Sequence, residues 1–68
     1  MMLDPIETGV LSLLRSNIRA ALNERADHIA GGGAVDYSEY RHQCGVIEGL
    51  ALAERELLDL IERVEKTA

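Results

Sequence analysis

A chain of 68 residues holds one small domain, and 7 Lys and Arg against 12 Asp and Glu leave it at −5 at neutral pH, a balance that disfavours general binding to a phosphate backbone. A single-layer core of this size lies near the limit of independent stability, and the lone cysteine, Cys44, can neither close a disulfide nor complete a tetrahedral metal site; help from a partner and a reducing cytoplasm are expected. The longest apolar run, Val10 to Leu14, is far short of a membrane span, and no basic-then-apolar leader opens the chain, so a chain neither secreted nor membrane-inserted is expected.

In chain order, Asp4-Pro5-Ile6-Glu7 reads as a helix start. Asp4 is the N-cap, Pro5 takes the first position, where its missing N–H costs nothing, and Glu7 is placed to reach back to the cap. The first helix is predicted over about 5–30. Gly31-Gly32-Gly33 follows, the one clear breaker, able to stop a helix through a left-handed terminal residue. After a turn over 31–35, Asp36-Tyr37-Ser38-Glu39 repeats the start signal, with Val35 placed to staple onto Tyr40. The second helix is predicted over about 37–66, supported by the favourable pairs Asp59–Arg63 and Glu62–Lys66. No proline interrupts either segment and no strand-like alternation occurs. The short connection makes antiparallel neighbours the economical arrangement. The expected fold is all-α: a single two-helix hairpin, assembling with further copies or a larger partner.

Apolar periodicity then assigns faces. Leu11, Leu14, Ile18, Leu22 and Ile29 form one stripe on the first helix. Tyr40, Cys44, Ile47, Leu50 or Ala51, Leu57 or Leu58, Ile61 and Val64 form its match on the second. Folding back about Gly33 sets Leu22 near Cys44, Ile18 near Ile47 or Glu48, Leu14 near Leu52 and Ile6 near Leu60, with a slip of one turn left open. More apolar residues remain than one seam can use. Ile6, Val10 and Leu13 make a second stripe, while Leu57, Leu58, Leu60 and Ile61 cover over half of the second helix's circumference. With Met1, Met2 and Leu3 they predict an apolar patch at the open end, read as a protein interface, or else covered by a splay of the chain's own helices.

Gly45, Gly49 and Ala53 recur every four residues inside the second helix. A mid-helix glycine costs about 1 kcal/mol against alanine, so a close approach by another backbone is expected, either Ala20-Ala21 of the same chain or another subunit. Catalytic chemistry finds no foothold. Cys44 and His42 point to different sides of a helix, Cys44 reads as a small core residue, and His28 and His42 read as partly exposed side chains near the turn rather than metal ligands. The triple glycine has no Lys-Ser/Thr sequel and is followed by Asp36, which repels phosphate. Tyr37 and Tyr40 flank the turn, either packed against Val35 and Ile29 or anchoring a partner. Between Thr8 and Asn23 the only charges are Arg15 and Arg19, open to solvent, to a salt bridge with the acidic second half, or to a nucleic-acid contact. No enzyme activity, cofactor or membrane contact is expected.

The segment Asp36-Tyr37-Ser38-Glu39-Tyr40-Arg41, followed by Cys44 to Leu50 and a charged leucine-rich tail, resembles very small proteins encoded among the head and tail genes of tailed bacteriophages. The motif is carried by Tyr40, Gly45, Ile47, Gly49 and Leu50 and covers under half of the chain. The resemblance implies a minor structural protein of the virion, held in the host cytoplasm before assembly. It would dock in multiple copies on portal, head–tail junction or capsid proteins, with no catalytic residues. The alternative from the residues themselves is a free regulatory hairpin, dimerising into a four-helix bundle that binds RNA or a host protein.

Overall fold

A computed structural model describes residues 4–67; the expectations placed on Met1, Met2 and Leu3 lie outside the described residues. Among the described residues there are two helices, α1 (Pro5–Ala30) and α2 (Tyr37–Thr67). They run antiparallel, since Arg25 meets Gln43 while the earlier Arg19 meets the later Glu54. The result is an all-α helical hairpin measuring 48 × 15 × 12 Å across its Cα atoms.

The termini of the helices follow local chemistry. Asp4 accepts a hydrogen bond from the Glu7 N–H at 2.8 Å, with Pro5 in the first turn, and Asp36 accepts from the Glu39 N–H at the same distance. Each cap satisfies a donor that a helix start leaves without an intrahelical acceptor. Glu39 reaches back to the Val35 N–H at 3.4 Å, one residue beyond the cap. At the far end of α1 the glycines divide the work. Gly33 N–H donates to the His28 carbonyl at 2.8 Å and Gly32 N–H to that of Ile29 at 3.0 Å, the paired bonds of a Schellman stop, and Gly32 supplies its left-handed residue at φ 80°. A Cβ at Gly33 would lie 2.3 Å from the His28 ring, the far end of an exposed side chain that can turn away.

The seam follows a heptad. On α2, Gln43, Ile47, Leu50, Glu54, Leu57, Ile61 and Val64 alternate steps of four and three, and all are buried or half-buried. On α1, Leu11, Ile18, Leu22 and Ile29 face them. Four sequence expectations are corrected here. Leu14, assigned to the seam, stands half exposed. Tyr40 also faces outward and stacks on Tyr37, ring centroids 6.3 Å apart, while Val35 is 83% exposed, so the predicted staple does not form. The register is shifted by about a turn: Leu14 shares a hollow with Leu57 and Leu60 instead of facing Leu52. Carrying the Arg19–Glu54 offset back along α1 sets Ile6 opposite the last turn of α2, beyond Leu60, which explains why Ile6 finds no cover. The cause is Glu54, which the apolar stripe passes over and which brings its partner Arg19 to that level.

Candidate docking surface

Burial in this hairpin is sparse. Among the described residues only Leu22, Leu57 and Val64 are buried apolar side chains, each worth about 1.5–3 kcal/mol of transfer free energy. Ordering a chain of this length opposes folding with a larger entropy. Against that small core stands a ridge on α1: Ile6, Val10 and Leu13 are 78%, 59% and 62% exposed, with Leu14 beside them. Spacings of four, three and one place all four on one side of the helix. They are held there because Leu11, Ile18 and Leu22 claim the seam.

The other interface candidates divide. Leu57 is buried in the seam and Ile61 is half-buried there, so neither offers an open contact. Leu60 is half-buried and lines a hollow with Leu14, Ile18, Ala53, Glu56 and Leu57. Leu58 stays partly exposed, but two residues from Leu60 turn it about 200° away, to the side of α2 opposite the hollow. The single continuous patch expected from composition is therefore a ridge and hollow on one side of the hairpin, with Leu58 on the other. The signal available in the sequence was the heptad through Glu54, which puts Leu57 inside.

Gly45, Gly49 and Ala53 are all exposed, and a Cβ built on either glycine meets nothing within 4 Å. The close crossing with Ala20-Ala21 is absent, because the stripe through Ile47, Leu50, Glu54 and Leu57 faces α1 and leaves this row on the outside. The tyrosine anchors lie where expected, at the turn, and line a shallow hollow with Cys44, Gly45 and Glu48. The phenol of Tyr40 is held above its ordinary value, first by hydrogen bonding with the Cys44 thiol one turn on. His28 lines a separate hollow with Ala21, Glu24, Arg25 and Gln43. Among the described residues no cluster of His, Cys, Asp and Glu could hold a metal ion, and no helix is long and apolar enough to cross a membrane.

The residue pattern offered Arg19 a salt bridge to the acidic second half; what it did not give is the partner, Glu54, or that partner's place inside the seam. Glu54 is 6% exposed and accepts from Arg19 through both carboxylate oxygens, Nε at 2.8 Å and Nη2 onto Oε1. Asn23 accepts from the same guanidinium at 3.5 Å. Hydrogen bonding from Arg19 holds the Glu54 carboxyl below its usual value against the opposing pull of burial, with the Arg19 and Arg15 charges adding to it. Of the uses open to Arg19, the salt bridge to the second helix is the one adopted. No protein-family model matches the chain, and neither curated proteins nor solved structures give a match.

Proposed function

We propose that this chain is a non-enzymatic docking hairpin, a small structural component ordered and stabilised by binding other proteins through the ridge of α1. The observation that carries the reading is the imbalance between three buried apolar side chains and the four-residue ridge left open. A monomer does not gain by exposing Ile6, Val10 and Leu13 together, whereas an assembly component does, because mass action supplies the stability that its core lacks. The specific setting, the portal, head–tail junction or capsid of a tailed phage, is supported by the resemblance over Tyr40 to Leu50 alone. The RNA-binding alternative has less support, since Arg19 is engaged by Glu54.

The test is incorporation. The protein copurifies with particles and stays bound through a high-salt wash, because an apolar contact is not screened as an arginine–phosphate contact is. Leu13→Glu abolishes incorporation while circular dichroism of the isolated variant stays helical, as its exposed position allows. Normal incorporation of Leu13→Glu overturns the reading. Leu57 is unsuited to this test because it is buried.

A further inference from the structure

The ridge and the hollow occupy the same side of the hairpin, and their placement is self-complementary. Leu14 belongs to both, standing beside Val10 on α1 and lining the hollow with Ala53, Leu57 and Leu60. Val10, Leu14 and Ala21 project on this side from α1, and Gly49, Ala53 and Leu60 from α2. The opposite side carries Arg15, Arg19 and Glu62 with the Glu54 pair. One broad side is therefore mainly small and apolar, with Glu56 and Arg63 edging its hollow, and the other is mainly charged, with Leu58 among the charges.

We propose that the occupant of this side is a second copy of the same chain, packed face to face into a four-helix bundle. A twofold axis parallel to the helices lays α1 of one copy antiparallel on α2 of the other and keeps every residue at its own height along the bundle. Because Leu14 and Leu60 share one hollow, that operation seats Leu14 of each copy against Leu60 of the other, with Val10 about one turn nearer the open end and Ala53 nearer the level of Ile18. The Arg19–Glu54 offset, continued by two residues, brings Asn17 opposite Glu56 of the second copy, an amide donor against a carboxylate. Gly49 and Ala53 leave room for the incoming helix, since nothing lies within 4 Å of a Cβ built at Gly49. Size agrees as well: the hairpin measures 48 by 15 Å across its Cα atoms, so contact along its full length takes up about 700 Å², close to the ~800 Å² that each partner gives up in a specific interface. An isologous contact of this kind closes at two copies and leaves the charged sides in solvent.

This inference rests on the docking reading and narrows it to one partner, so the experiment separates the two. Sedimentation equilibrium of the whole chain across a concentration series, with circular dichroism on the same samples, is expected to give a helical dimer. Val10→Glu weakens that dimer by roughly a hundredfold or more, because each interface gains two unpaired buried charges. Leu52→Glu, exposed on the outer edge of α2, leaves it unchanged. In a mixture of labelled and unlabelled wild-type copies, isotope-filtered NMR is expected to show contacts from the Leu14 methyls of one copy to those of Leu60 of the other, a readout independent of any variant's folding. A fully helical monomer at all concentrations overturns the second copy as occupant while leaving docking on another protein in place. A dimer insensitive to Val10→Glu, or one lacking those intermolecular contacts, overturns the assigned face.

Discussion

Glu54 shows how a single residue can set the geometry of a two-helix fold. A carboxylate at a heptad position is tolerated only with a partner, and Arg19 supplies two hydrogen bonds from one guanidinium fork. Breaking such a pair leaves the buried member exposed to the full desolvation penalty. Because Arg19 holds the folded-state value of Glu54 below its ordinary 4.5, the folded hairpin favours the ionised form more than the unfolded chain does. The contribution is whole above that ordinary value and is lost as pH falls through the depressed one. Thermal melts followed by circular dichroism between neutral pH and about pH 3 are expected to fall in midpoint. Glu54→Gln is expected to be less stable than wild type at neutral pH and to show a flatter acid limb. An unchanged acid limb in that variant would assign the loss to other carboxylates.

At the level of the helices, caps and glycines have opposite signs that the structure separates. Asp36 donates nothing and accepts the Glu39 N–H, so Asp36→Ala is expected to cost about 1 kcal/mol. Gly32 sits at φ 80° in the Schellman stop, and Gly32→Ala is expected to cost about 1–2 kcal/mol. Gly45 is in open space in mid-helix, so Gly45→Ala is expected to stabilise by about 1 kcal/mol. For a domain of this size each kilocalorie moves the melting midpoint by about 4–8 °C, so a melting series resolves all three. A destabilising Gly45→Ala would mean that another backbone does approach that side of α2. The helix starts and the break between them were legible in the residues, because caps, proline at the first position and glycine at a left-handed stop act through neighbours only a few positions away. The staple was not, because Val35 and Tyr40 compete with Tyr37, and only coordinates show that the rings stack instead.

The whole molecule is one layer thick, and its stability is tied to what it touches. If self-association completes the fold, the melting midpoint rises with protein concentration as mass action requires; tenfold dilution is expected to lower it in the wild type and in Leu52→Glu alike. A midpoint independent of concentration would mean that Leu22, Leu57 and Val64 suffice by themselves. Of the candidate surface, Ile6, Val10 and Leu13 were legible as surplus to the seam by periodicity. Of the two residues offered for one seam position, Leu57 is the one buried and Leu58 stays partly exposed, while Leu14, assigned to the seam, stands half exposed; periodicity alone did not choose, because an apolar stripe skips Glu54, whose place in the heptad goes with Leu57 inside.

By itself the sequence determined two helices, their approximate limits, the turn between them and an apolar excess near the open end. These depend on interactions of short range, cap to third residue and one helical turn to the next, which hold whatever the helices pack against. Only the tertiary structure decided the register, the side on which ridge and hollow meet, and the outward turn of Gly45, Gly49 and Ala53. Those depend on how the two helices meet: the seam heptad packing on Leu11, Ile18 and Leu22, with Arg25 on Gln43 and Arg19 on Glu54, the latter pair separated by 35 residues. An ion pair at that distance leaves no periodic trace, because neither charge is apolar and nothing in the spacing of one helix reveals which residue of the other will neutralise it.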